Sequence, residues 1–135
     1  MYIADGKTNG PAFSWPDGKR IAVMVTFDYD AEFLRISRAK SKGTSIGFTD
    51  FSRGQYGPHE GLARCLDMLD TMNIKSTFFV PGAVIETYRD TVEEIHRRGH
   101  ELACHGYRHE SDPELSRDEM IKVKRCSQRS PEKSQ

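Results

Sequence analysis

The sequence predicts an α/β fold in which parallel strands alternate with helices. Three observations point there. Ile21-Ala22-Val23-Met24-Val25-Thr26-Phe27 is nearly continuous in its apolar character, the pattern of a strand covered on both faces. Two later segments carry apolar residues at helical spacing, and each is followed by a short apolar run. The resulting order, β-α-β-α-β-α, is that of parallel strands joined by crossover helices. The chain has 135 residues, enough for one domain but short of the roughly 200 or more that a closed (β/α) barrel typically takes.

Residues 1–20 are rich in Gly, Pro, Asp and Lys and read as an irregular lead-in. The turn Trp15-Pro16-Asp17-Gly18-Lys19 closes it, with Trp15 expected to anchor against the body. The first strand, Ile21 to Phe27, ends in Asp28-Tyr29-Asp30. From Ala31 to Gly57 no period is visible. So long a loop is uncommon and often functional. Its Phe33, Phe48, Phe51 and Tyr56 stand among Arg35, Arg38, Lys40, Lys42 and Arg53. Such a segment could cover a polar substrate, or be a solvated loop with a short helix in it.

Pro58 is expected to open a helix whose stripe is Leu62, Cys65, Leu66, Leu69 and Met72, ending at Asn73. Lys75 to Val80 then reads as a second strand, stopped by Pro81-Gly82. Ile85, Tyr88, Val92 and Ile95 mark one further helix, with Arg97-Arg98 in its last turn and Gly99 just beyond its end. Glu101 to Cys104 is a third strand, and alternation would turn Cys104 into the core. Ser116-Arg117-Asp118-Glu119 is a capping box with Leu115 and Met120 as its hydrophobic staple. A helix is expected from near Arg117. Residues 124–135 lack periodicity and read as a disordered tail.

Twenty Lys and Arg balance twenty Asp and Glu, which speaks against a nucleic-acid or acidic-lipid partner. No apolar run approaches the roughly 20 residues of a membrane span, and residues 1–7 do not read as a secretory signal. Cys65, Cys104 and Cys126 are odd in number and form no disulfide framework. Reduced thiols and a cytoplasmic location are the simplest expectation.

Asp28 and Asp30 follow the first strand; His105 and His109 follow the third. Loops at the carboxyl ends of parallel strands share one face, so the four groups are expected to converge. Either pair alone is a weak signal, and the two imidazoles are expected to meet one ion if the turn between them is helical. Two imidazoles and one carboxylate leave positions open for water and substrate, as a catalytic metal site does. The set suits Zn²⁺ and other divalent ions, including Fe²⁺, and the second aspartate is free to act as a base. His59 is a candidate substrate contact or an exposed polar residue. His96 and His100 are expected on the surface near a helix end. Glu110 either holds a ligand imidazole or is an ordinary turn residue.

Thr26-Phe27-Asp28-Tyr29-Asp30 and His105-Gly106-Tyr107-Arg108-His109-Glu110 resemble the first two motifs of the polysaccharide deacetylase family, the NodB-homology domain of carbohydrate esterase family 4. The family's first motif usually reads T-F-D-D-G, whereas Tyr29 separates the two aspartates here. These variants, with Tyr56-Gly57-Pro58, Arg64, Ser76 to Gly82 and Gly99-His100-Glu101, resemble its cytoplasmic branch of peptidoglycan deacetylase-like, cyclic imidase and allantoinase-like enzymes. The match covers roughly residues 15–123, and residues 21–123 are taken as the partial domain.

The resemblance implies the N-terminal portion of a distorted (β/α) barrel. It implies Asp30, His105 and His109 as ligands of a divalent metal, commonly zinc, with cobalt, iron and nickel as alternatives. It implies Asp28 as general base in the hydrolysis of an amide C–N bond, releasing acetate from an N-acetylated sugar. Tyr29, Tyr56 and His59 are candidates for substrate contact. The family's later motifs, an Arg-containing loop, an Asp/Trp segment and a late histidine, cannot be placed here. The chain therefore reads as the first half of the domain. Such a half exposes strand edges, which allows a homo-oligomer. A cyclic imide or ureide hydrolase is the alternative within the same chemistry, and a remnant that turns nothing over is the alternative outside it. Another metal-dependent barrel enzyme, such as an isomerase, would account for the ligands but not for the wider motif set.

Overall fold

Three short apolar runs build the centre of the molecule. In a computed structural model that describes residues 15–110, 116–118 and 120–121, they form a parallel sheet of order β1-β2-β3. Strand β1 is Thr26–Asp28, β2 is Thr77–Val80 and β3 is Glu101–Cys104. Phe27 pairs with Phe78, and Phe78 with Leu102. The helices are α1 (Phe33–Ser41), α2 (Phe48–Tyr56), α3 (Leu62–Thr71), α4 (Gly82–Thr87) and α5 (Arg89–Arg97). Strands and helices alternate in parallel α/β fashion, as expected.

The core lies between one face of the sheet and the helices. Phe78 and Val80 alternate inward on β2 and meet Leu62, Leu66 and Leu69 of α3, Val84 of α4, and Val92 and Ile95 of α5. Phe27 stacks on Phe78 at 5.0 Å between ring centroids. Complete burial of such side chains is worth about 1.5–3 kcal/mol each, so this layer is the main attraction holding helices to sheet.

Several expectations need correction. The first strand is shorter than its apolar run: Ile21, Val23 and Met24 are 76%, 82% and 87% exposed. Among the described residues β1 is an edge strand with β2 as its partner, so no neighbour buries them. Trp15 is 40% exposed and is not a buried anchor, although its turn forms as read, with Lys19 N–H donating to Pro16 O at 3.2 Å. The segment 31–57 is mostly helix, α1 and α2, rather than loop. Pro58 does not open a helix but sits inside one. A wide π-type turn, Gly57–Gly61, joins α2 to α3, with Leu62 N–H reaching back five residues to Gly57 O. The extra residue in that turn accommodates the missing proline N–H.

Asn73 (φ +52°) and Gly99 (φ +77°) end α3 and α5 in the left-handed conformation, as helix-terminating residues do. Met72 is 59% exposed, beyond the buried part of the stripe. The helix after β2 is two helices, broken at Tyr88 (φ −124°, ψ 46°). Cys104 is exposed rather than a core thiol; among the described residues β3 is the other edge of the sheet. Arg117, Asp118, Met120 and Ile121 are helical, and Met120 N–H donates to Ser116 O at 2.9 Å. Leu115, Glu119, Cys126 and the tail 124–135 lie outside the described residues. Among those described, no helix is long and apolar enough to cross a membrane.

Candidate metal centre

Strand β2 brings the two acidic and imidazole motifs together although β1 and β3 are not neighbours. Just past the end of β1, Tyr29 N–H donates to Phe79 O at 2.8 Å; just past the end of β3, His105 N–H donates to Val80 O at 3.3 Å. Both chains therefore leave the sheet at its carboxyl end, on either side of β2.

There Asp30, His105 and His109 converge, with one ligand atom from each within 4.8 Å of the others. Asp30 Oδ1 stands 3.5 Å from His105 Nε2, and Asp30 Oδ2 stands 3.7 Å from His109 Nε2. The two imidazoles meet edge to face, 4.9 Å between centroids. Asp30 Oδ1 and His105 Nε2 are buried and have no hydrogen-bond partner. Such orphaned atoms are rare in a folded chain. Ligands about 2.1 Å from a tetrahedral ion stand about 3.4 Å apart, close to the spacings observed. The donor set and the unmatched atoms therefore fit a divalent cation. Burial pushes the Asp30 carboxyl above its usual range, opposed by the imidazoles of His109 and His105.

The turn from His105 to His109 is not helical, contrary to the expected condition. Gly106 (φ +72°) and His109 (φ +59°) both take the left-handed conformation. Gly106 does so without strain; a histidine rarely does. Hydrogen bonds hold the turn from several sides. Gly82 and Ala83, at the start of α4, donate to Gly106 O and Tyr107 O at 3.0 and 2.8 Å. Glu110 Oε2 accepts from the N–H groups of Tyr107 and Arg108 at 3.2 and 2.9 Å, so Glu110 caps the turn. Ser37 Oγ, on α1, donates to His109 O at 2.7 Å.

The remaining sequence candidates are spread more widely. Asp28, at the end of β1, is exposed and close enough to Asp30 to raise the latter's pKa. Tyr29 does not face the site. It is 6% exposed within the core cluster, bonded to Thr91 Oγ1 at 2.8 Å, and burial pushes its phenol up to about 12. Alternation along the extended chain explains this: its flanking aspartates point away from the core and Tyr29 points into it. Neither Tyr56 nor His59 belongs to the cluster. Tyr56 is 54% exposed, and the exposed His59 lies edge-on to Tyr88 at 6.1 Å. His96 is exposed as expected, but His100 is 3% exposed, with Nδ1 accepting the Ser76 N–H at 3.3 Å.

Sequence reasoning missed Ser37 and the buried Glu32, which accepts from the Tyr88 hydroxyl at 2.9 Å and ties the start of α1 to α5. A polar residue in an aperiodic stretch gives no sign of its partner. The one available signal was that both follow the acidic motif within seven residues.

A family model described as polysaccharide deacetylase matches residues 16–130. The chain is 31% identical over 110 residues to a peptidoglycan deacetylase-like protein of Gibberella zeae, covering 77% of this chain and 32% of that protein. It is 37% identical over 93 residues to the peptidoglycan deacetylase of Helicobacter pylori, covering 69% and 31%. A solved structure from Mycobacterium smegmatis, described as a polysaccharide deacetylase, superposes with TM-score 0.76 at 38% identity, covering 89% of this chain and 41% of that one. PuuE allantoinase superposes with TM-score 0.76 at 20% identity, covering 89% and 45%; that likeness concerns the fold alone. The chain spans about a third of the length of the two peptidoglycan deacetylase relatives.

Proposed function

The chain belongs to the polysaccharide deacetylase family, and we propose that it carries the cation-holding part of a hydrolase acting on amide C–N bonds of N-acetylated carbohydrate, peptidoglycan included. The observation that supports this reading best is the convergence of Asp30, His105 and His109 with two of their buried atoms left unmatched. These three residues would hold the ion. A divalent cation bound there supplies a Lewis acid that polarises a carbonyl and lowers the pKa of water. Asp28, exposed and next to Asp30 in the same motif, takes the proton of the attacking water. The two imidazoles oppose the rise that burial imposes on the Asp30 carboxyl, and the turn capped by Glu110 keeps those imidazoles in place.

Zinc binding and acetate release test the reading separately. The purified chain is expected to take up one zinc ion, and His105→Ala to abolish uptake. With N-acetylglucosamine oligomers, wild type is expected to release acetate. Asp28→Asn should lose that activity while still binding zinc. Absence of zinc uptake by wild type overturns the metal reading. Zinc uptake without acetate release, but with opening of succinimide or allantoin, reassigns the substrate to cyclic amides. Zinc uptake with no turnover of either class withdraws the hydrolase and leaves a metal-binding remnant.

A further inference from the structure

We propose that Ser37 is a positioning residue for the cation site, setting where the His109 imidazole stands relative to Asp30; this rests on the metal reading above. The two imidazoles reach the site by different routes. His105 is the first residue past β3 and is held by the sheet, through its N–H to Val80 O. His109 lies four residues further on, at the end of a turn, with a backbone conformation that a histidine rarely takes. The earlier carbonyls of that turn, Gly106 O and Tyr107 O, are held by the start of α4. Its last carbonyl, His109 O, is held by Ser37 Oγ at 2.7 Å across 72 residues of sequence.

The same helix begins at the carboxylate ligand. Phe33 N–H, at the start of α1, donates to Asp30 O at 3.0 Å. Ser37 follows on the next turn of α1. One rigid element therefore grips the backbone of Asp30 at one point and that of His109 at another. It also brings the Arg38 charge near enough to lower the Asp30 pKa. Removing the Ser37 hydroxyl leaves His109 free to relax out of the left-handed region, and the carboxylate and second imidazole then lose their common reference. Groups that orient a ligand from behind typically change metal affinity by about 10–100-fold.

The test measures zinc affinity by competition with a chromophoric chelator in wild type, Ser37→Ala, Ser37→Thr and Ser37→Val, alongside the Co²⁺ visible spectrum and the melting temperature of each metal-free protein. Ser37→Ala and Ser37→Val are expected to bind zinc at least about tenfold more weakly and to show an altered Co²⁺ spectrum. Ser37→Thr, which keeps the hydroxyl, should match wild type. Thr and Val have nearly the same shape, so a difference between them isolates the hydrogen bond even if Ser37→Ala folds poorly. Equal zinc affinity of the Thr and Val variants, or a loss in Ser37→Ala that only tracks its melting temperature, overturns the assignment. If wild type binds no zinc, the metal reading itself has failed. If wild type binds zinc and the Val variant binds it equally well, only the role of Ser37 has failed.

Discussion

At the amino end of the sheet, Arg98 meets Asp67 at 2.7 Å, Asp70 at 2.9 Å and Glu94 at 2.7 Å. At the carboxyl end, the Asp30 oxygens stand 3.5 Å from His105 Nε2 and 3.7 Å from His109 Nε2, and Asp30 Oδ1 and His105 Nε2 have no hydrogen-bond partner. Both ends gather charge-bearing groups from several elements. The difference is saturation. The Arg98 fork is filled by carboxylates from α3 and α5 and so joins two helices, although nearby Ser76 Oγ and His100 Nε2 are buried without a hydrogen-bond partner. In the Asp30 cluster, Asp30 Oδ1 and His105 Nε2 make no internal hydrogen bond. In α/β barrels the amino-end face reads as stability and the carboxyl-end face as chemistry, and the same division is visible here in three strands.

The largest expected effect comes from the unsaturated end. Asp30→Asn keeps the shape of the side chain and removes its charge. Zinc affinity is expected to fall on the order of 100-fold or more, beyond the effect of residues that only orient a ligand. Wild type at a free zinc concentration of about a hundred times Kd should gain about 2.7 kcal/mol of stability, and the variant should gain almost none. Without metal, Asp30→Asn is expected to melt no lower than wild type, because a buried carboxylate without a full set of partners contributes little to folding. A metal-free variant that melts much lower would make Asp30 a structural residue and erase the contrast with Arg98.

Arg98→Ala probes the other end, with the opposite expectation. It removes the guanidinium shared by Asp67, Asp70 and Glu94, leaving Lys75 beside Asp70 and Arg97 on Glu94, and unties α3 from α5. The Glu94 carboxyl is held down to about 2 by the Arg97 and Arg98 guanidiniums; without Arg98 it should move back toward the ordinary range. Thermal denaturation of the metal-free chain should show a melting temperature lower by a few degrees, with zinc affinity unchanged within about twofold. These pairs are partly exposed, so added salt should narrow the gap between wild type and variant. A loss of zinc affinity as large as the loss in Asp30→Asn would mean that the two ends are coupled through the sheet rather than separate.

The sequence foretold the unsaturated end better than the saturated one. Asp28, Asp30, His105 and His109 were legible as a converging group because strand ends announce themselves: an apolar run stops, and polar residues with ligand chemistry follow; the choice of Asp30 over Asp28 came from the motif's resemblance to the family. Parallel order then brings the two stops together without knowledge of any side-chain contact. The helices α1 and α2 were not legible, since Phe33, Leu34 and Ile36 are crowded into one turn and give no stripe. Pro58, which usually marks a helix start, stands instead in a π-type turn within a longer helical stretch. The true extent of β1 was hidden for a different reason. Apolar character predicts burial only where a neighbour is present, and Ile21 to Met24 have none among the described residues. The ion pairs of Arg98 with Asp67 and Asp70 join positions 31 and 28 residues apart, a distance over which charge pattern alone carries no information, unlike its pair with Glu94 four residues away.

The smallest expected effect is a pH dependence set by His100, at the amino end. Its Nδ1 accepts the Ser76 N–H, so a proton on that atom would place donor against donor. Burial holds its pKa below the usual value, with Lys75 and Arg98 acting in the same direction and Asp70 against them. The unfolded chain takes up this proton near pH 6.5, whereas the native chain resists it until a lower pH. In that window the unfolded state binds more protons, so stability is full above about pH 6.5 and declines as the pH falls through the window. Urea denaturation of the metal-free chain at several pH values between 7.5 and 5 should show this decline in wild type. In His100→Asn the amide oxygen can still accept from Ser76 and nothing titrates at that position, so the decline should be shallower by less than one proton. Comparing the two slopes cancels the contribution of the groups that both proteins share. Identical slopes would show that the stability of the fold is indifferent to protonation of His100.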